Sequence, residues 1–139
     1  MSHMHINSFS NRKLIIGVPV IKVNDEYYLS MHFGKSPLFA LVEVLSSNYR
    51  VLEIVENPYT THKHQKGKRV IDFLLSRGVN TVIVLGIGYG AFYKLKEQGV
   101  KIYYVPAENT SRGLMPLDNV IKMFINGQLE EAREPRELY

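Results

Sequence analysis

The chain contains no cysteine. That excludes a disulfide framework and any metal site built on thiolates, and leaves histidine and carboxylate for such work. No apolar run approaches the roughly 20 residues a membrane-spanning helix needs, and the start Met1-Ser2-His3-Met4-His5 lacks the apolar core of a secretory signal. A cytoplasmic location without a membrane partner is the expectation. Also missing are a Ser/His/Asp order, a paired-carboxylate spacing, an H-E-x-x-H helix and a phosphate loop ending in G-K-[ST]. With no residue set to sponsor catalysis, the chain is expected not to be an enzyme.

What is present describes an ordinary globular protein. A chain of 139 residues, 45% apolar and 22% charged, is one domain long and can bury its own core. Ser2-His3-Met4 is like the remnant of an expression tag, and residues 1–11 are read as a disordered N-terminus or tag remnant. A single domain is expected over 12–129, followed by a charged, frayed tail over 130–139. The net charge is +4, and its local source is the cluster of Lys63, Lys66, Lys68 and Arg69 with His62 and His64. Such a cluster is commonly a solvated loop, and here it can also be an anion site. No Arg/aromatic interleaving accompanies it, so nucleic acid is not an expected partner.

The patterning predicts an α/β fold. Leu14 to Ile21 is a β-branched run closed by Asn24-Asp25, a strand and its turn. Leu38 to Val44 and Tyr49 to Val55, joined by Ser46-Ser47-Asn48, form a hairpin. Strict alternation puts Arg50, Leu52, Ile54 and Glu56 on one face of its second strand and Tyr49, Val51, Glu53 and Val55 on the other. Beyond Asn57-Pro58, Val70, Ile71, Leu74 and Leu75 recur at helical spacing up to Gly78. Thr81 to Leu85 is a strand, Ala91, Phe92 and Leu95 mark a helix stopped at Gly99, and Lys101 to Val105 is another strand, together a parallel crossover. Leu117, Val120, Ile121, Phe124 and Ile125 form a last helix behind Pro116. The sum is a five-stranded mixed sheet, three antiparallel strands and then β-α-β, with helices on its faces.

Three segments can carry chemistry. His32-Phe33-Gly34-Lys35-Ser36-Pro37 mixes polar and aromatic residues in a loop, and an imidazole there can be a metal ligand or a cation beside an anion, or simply a packed structural group. His62 and His64 can face one ion but are two ligands where a closed zinc site needs about four; the alternative is a pair of exposed loop histidines. Gly86-Ile87-Gly88-Tyr89-Gly90-Ala91 follows a strand and opens a helix, in formal agreement with G-x-G-x-x-A, with Glu108 about 20 residues on where a ribose-binding acid belongs. Only one crossover exists, however, and glycines at such a turn also serve the turn itself. A nucleotide- or anion-binding regulatory module using the Gly86 turn is the alternative function.

These landmarks, in order, resemble the dinitrogenase iron-molybdenum cofactor biosynthesis family, which includes small nitrogenase accessory factor-like proteins. The resemblance rests on Met31-His32-Phe33-Gly34-Lys35-Ser36-Pro37 with the strand Leu38 to Val44, on Glu56-Asn57-Pro58 with His62, His64 and Gly67, and on Val82 to Gly88 with Ala91, Leu95 and Gly99-Val100. It runs from about Leu14 to Leu129. It implies a ribonuclease H-like fold without nuclease function, and binding or carriage of iron-molybdenum cofactor or an iron-sulfur precursor cluster, with cluster donor or acceptor proteins as partners. Within that implication His32, His62 and His64 are the metal ligands, with Phe33, Gly34, Lys35, Gly86 and Gly88 lining the cofactor. Lys66, Lys68 and Arg69 supply countercharge and the Gly86 turn supplies N–H donors. The absence of cysteine departs from what a tightly held iron-sulfur cluster uses.

Overall fold

The computed structural model describes residues 13–60, 66–110 and 113–137. The expected tag remnant, His62 and His64 lie outside the described residues, and so does the side chain of Lys66. The strands are β1 (Leu14–Val23), β2 (Glu26–Leu29), β3 (Leu38–Leu45), β4 (Asn48–Glu56), β5 (Thr81–Val84), β6 (Lys101–Tyr104) and β7 (Glu130–Glu131). The helices are α1 (Lys66–Ser76), α2 (Tyr89–Glu97) and α3 (Leu117–Ile125), with a 3-10 turn at Ala107–Thr110. All seven strands form one mixed sheet in the order β4-β3-β1-β5-β6-β7, with β2 also paired to β1.

The sheet has two strands beyond the five expected. Asn24 and Asp25 both hold positive φ, 51° and 69°, and close a two-residue hairpin in which Val23 faces Glu26. Asn and Asp tolerate that conformation, and two such residues match the twist of a hairpin. The turn therefore returns the chain as β2 instead of ending the strand. β7 pairs Glu130 and Glu131 with Tyr104 and Tyr103, so the tail expected to fray is docked through Glu137.

Alternation also breaks in β4. Leu41 pairs with Glu53 and Val42 with Val51, so Leu52 is an extra residue, a β-bulge. The faces are consequently Tyr49, Val51 and Ile54 on one side and Arg50, Glu53 and Val55 on the other, a correction to the strict period of two. The bulge brings Arg50 opposite Glu43, whose buried carboxylate accepts from the guanidinium at 2.8 Å.

The sheet is covered on both faces. Phe39, Leu41, Val55, Val82, Val84 and Ile102 pack against Val70, Ile71 and Leu74 of α1 and Phe92 and Leu95 of α2. Ile16, Val18, Val20, Val42 and Ile83 pack against Leu117, Val120 and Ile121 of α3. Gly17 lies under Val79 and Leu74, where a methyl would sit in ordinary contact, 3.4 Å from Val79 Cγ1 and 3.7 Å from Leu74 Cδ2. Gly78 closes the end of α1 with φ of 84°, in the left-handed region that favours glycine.

Two tyrosines tie covering segments to the sheet. The Tyr49 hydroxyl donates to Asp118 in the first turn of α3, and burial followed by that bond pushes its phenol up to about 12. The Tyr104 hydroxyl donates to the Glu134 carbonyl at 2.7 Å, and burial, opposed by the Arg136 charge, pushes it up to about 12 as well. Because the folded values are raised, their contribution to stability is complete below the unfolded value near 10 and is lost as pH rises through about 12. Denaturant midpoints should accordingly fall between those pH values. Tyr49→Phe and Tyr104→Phe together should flatten that fall, and an unchanged alkaline slope in the double variant would sink the assignment.

Candidate functional site

The antiparallel pairing of β1 with β3 and of β3 with β4, and the parallel pairing of β1 with β5 and β5 with β6, align five strand ends. Val20 of β1, the start of β3, and the carboxyl ends of β4, β5 and β6 all lie at one edge of the sheet. Chain reverses direction across β1, going to β3 on one side and to β5 on the other. In open α/β sheets such a switch point leaves a crevice outside the strand ends, where ligands bind. The His32–Pro37 loop, the Asn57–Thr60 segment, the Gly86–Gly88 turn and the Ala107–Thr110 turn all leave the sheet at this edge.

The His32 loop is held firmly. Phe33 is only 4% exposed and packs edge-on against Phe39 with ring centroids 5.6 Å apart. It is thus a core residue: the expected lining role for its ring is replaced by anchorage. Ser36, fully buried, places its hydroxyl 2.9 Å from the Leu38 carbonyl and 3.2 Å from that of Val20. Asn57, also buried, uses both amide hydrogens, donating to the carbonyls of Gly34 and Ser36 at 2.9 Å each. Its side-chain oxygen accepts from Tyr59 N–H at 2.9 Å. Neither Ser36 nor Asn57 stood out in the sequence as a site residue. An Asn before Pro is a recognised turn former, but only the fold shows that its amide reaches back 21 and 23 residues. His32 itself is exposed, and its backbone N–H donates to Ser30 Oγ at 3.2 Å. Lys35 is exposed beside it.

The Gly86 turn sits where the sequence placed it, between β5 and α2. Gly88 is the N-cap with φ of −77°, an ordinary value for any residue, so its glycine is not required by the turn. It is also uncapped by any side chain of its own, and no acid lies in the first turn of α2. The positive end of the helix macrodipole lies at the end of the sheet where β5 stops. Two side chains approach it. A methyl at Gly90 would stand 3.4 Å from Lys68 Cε, and one at Gly88 would stand 3.4 Å from Glu137 Oε2. Of the expected countercharges, then, Lys68 is brought to the turn from the first turns of α1. Glu108 is exposed in the 3-10 turn beyond β6. Among the described residues no three His, Asp or Glu side chains gather as a metal centre; the expected ligand set of His32, His62 and His64 includes two that lie outside those residues.

The fold is an α/β domain that brings a held histidine loop and a helix N-terminus to the same end of its sheet. More narrowly, the chain belongs to the dinitrogenase iron-molybdenum cofactor family, whose model matches residues 16–127. It is 32% identical over 120 residues to an uncharacterized protein of Methanocaldococcus jannaschii, covering 84% of this chain and 96% of that one. Its fold is similar to the apo form of the orange protein from Desulfovibrio gigas, with a TM-score of 0.75 at 20% identity over 91% of this chain and 98% of the other. A NifB-like protein from Thermotoga is similar with a TM-score of 0.65 at 28% identity, over 85% and 92% of the two chains.

Asn57→Ala would leave two carbonyls and one N–H without their partner, at a cost of about 1–3 kcal/mol. A lower urea midpoint at unchanged m, with faster exchange of the Tyr59 amide, is the expected result. Stability equal to the parent would show that Asn57 does not hold the loop.

Proposed function

We propose that the protein binds or carries iron-molybdenum cofactor, or an iron-sulfur precursor of it, as cargo in metallocluster assembly, and does so without catalysis. The observation that carries this reading is the convergence at one sheet edge of the anchored His32 loop and the α2 N-terminus, with Lys68 beside the latter, in a chain of this family. The ribonuclease H-like arrangement belongs to the same reading.

The donor set fits an anionic cluster that arrives already assembled. Such a cargo needs a neutral imidazole as ligand, cations and N–H donors around it, and no thiolates of the carrier. Its metals and sulfides supply the redox and coordination chemistry wherever it is delivered. His32 would ligate from a loop whose geometry the core sets. Lys35, Lys68 and Arg69 would offset the charge, joined by Lys66 of the same cluster. Gly34, Gly86 and Gly88 would admit close approach of backbone to cargo. His62 and His64 would act from the segment joining β4 to α1, adding charge more than coordination. Donor and acceptor proteins of the cluster are the implied partners, in the cytoplasm; among the described residues no helix is long and apolar enough to cross a membrane.

A second reading, a nucleotide- or anion-binding regulatory module, is favoured by one observation: the glycine turn does follow a strand and open a helix. Anaerobic titration with a cluster donor beside calorimetry with nucleotides separates the two.

Because His32 is exposed and its ring is not part of the core, His32→Ala should melt like the parent and lose most cluster uptake. The double change of His62 and His64 to Ala should weaken uptake only in part. Uptake by His32→Ala equal to the parent would refute the site, and nucleotide binding without cluster uptake would leave the second reading.

A further inference from the structure

The two edges of the sheet are built differently. β7 is two residues long, and the chain after it is docked through Arg136, whose Nε–H donates to the Leu85 carbonyl at 2.9 Å. β4 is nine residues long, and among the described residues no strand pairs with its outer side. Natural edge strands are commonly blunted by lysine or proline, and β4 contains neither. Its flank is apolar as well: Leu45 at the hairpin, and Val51 and Leu52 within the strand, are 50%, 43% and 44% exposed.

Hydrogen bonding fixes which residues of β4 face outward. Asn48 closes the two-residue turn opposite Leu45, the place of a hydrogen-bonded pair, and such pairs alternate along the ladder. Asn48 and Arg50 therefore bond to β3, while Tyr49 and Val51 turn their N–H and C=O outward. The Tyr49 N–H agrees, since it donates to the Asn48 side-chain oxygen at 2.9 Å. At the other end Asn57 N–H donates to the Pro37 carbonyl at 2.9 Å, which makes Val55 an inward residue and Ile54 and Glu56 outward ones. The bulge at Leu52 lies between the two sets.

We propose that β4 is a self-association edge: a second copy of the chain lays its own β4 antiparallel to this one, about a two-fold axis at the bulge, and the two sheets become one. A single two-fold register matches all four outward residues with outward residues, Tyr49 with the partner's Glu56 and Val51 with the partner's Ile54. The extra residue of the bulge keeps Tyr49, Val51 and Ile54 on one face, so Val51 and Ile54 meet twice as apolar cross-strand pairs. On the opposite face Arg50 stands diagonal to the partner's Glu53, opposite in charge and within reach of long side chains. The two Glu53 carboxylates come together at the axis, each already paired with Arg77 of its own chain at 2.9 Å. Because β4 runs toward the His32 end of the sheet, the two His32 loops stand at opposite ends of the joined sheet, and neither is covered. One strand pair is a small interface, below the roughly 1,000 Å² of a stable complex, so the dimer is weak, with a Kd of about 0.1–1 mM.

The test is sedimentation velocity with amide NMR of the full chain from about 0.05 to 2 mM, a range that brackets that Kd. A dimer should grow in with concentration. The Val51, Ile54 and Glu56 amides should shift and exchange more slowly as it forms, while those of Arg50 and Val55, already bonded to β3, keep their exchange rates. Val51→Lys sets two like charges diagonal to each other beside the axis and should raise Kd about tenfold or more. Val51→Thr keeps the branched shape and should stay within about twofold of the parent. A parent that is monomeric throughout overturns the proposal, and so does a dimer that Val51→Lys leaves unchanged or one that moves other amides in place of these three. Slow exchange of the three amides already in the dilute monomer would show that the chain's own residues cover the edge, and would overturn it too.

Discussion

Everything at the candidate site depends on how β1 shares one edge between two neighbours. Along its other edge β1 is paired with β3 from Leu14 to Val20. On this edge it meets β5 at Ile16 and Gly17, then β2 from Val20 onward. Pro19 stands at the handover. The N–H and C=O of a strand residue point to the same edge, and the Pro19 carbonyl accepts from Ser30 N–H at 2.9 Å. The missing N–H of Pro19 thus faces the gap between β5 and β2, where no ladder needs it, and the ladder to β3 loses nothing. A proline in the middle of a central strand is tolerable here because the strand changes partner at that point. The same change of partner sets β2 and the loop that follows it apart from β5 and the turn that follows it.

How much of this was legible in the sequence follows from which signals are local. Helices α1, α2 and α3 declared themselves through apolar residues at helical spacing with a glycine beyond each end, and the structure puts Val70, Ile71 and Leu74, Ala91, Phe92 and Leu95, and Leu117, Val120 and Ile121 into its two cores. The strands were legible where runs were long. β2 was not, because Glu26-Tyr27-Tyr28-Leu29 is short and half-buried, although Asn24-Asp25 already carried the hairpin signal. β7 could not be read at all: two exposed glutamates carry no periodicity, and their pairing is set by β6. The bulge at Leu52 defeated the period-of-two reading for a related reason, since nothing local marks an extra residue in an edge strand.

The sequence told which elements carry the candidate residues, not what those residues do. His32 and Lys35 are exposed on their loop and the Gly86 turn lies where strand meets helix, as the pattern required. Phe33, by contrast, looks like a site residue only because it neighbours one; an aromatic in a polar loop is as well explained by a need for an anchor, and its contact with Phe39 supplies that explanation. Asn57 and Arg136 show the limit from the other side. Each satisfies carbonyls far away in the chain, 21 to 51 residues off, and no spacing rule reaches that distance.

Rigidity and charge are divided between two segments at this end of the sheet, as the proposed transient carriage would use them. On one side, Ser36, Asn57 and Phe33 fix the backbone next to an exposed imidazole, so a ligand there need not order the loop at its own expense. On the other, the helix end and Lys68 offer charge without coordination, and a carboxylate from the same chain already faces that charge. Charge interactions at an exposed helix end are worth about 1 kcal/mol or less, too little to trap a ligand and enough to favour one that carries several negative charges. A protein built to hold a cluster permanently would use thiolates, whose bonds to iron resist exchange. A chain with no cysteine, whose candidate ligand His32 stands on a held loop, accords with the transient carriage proposed above.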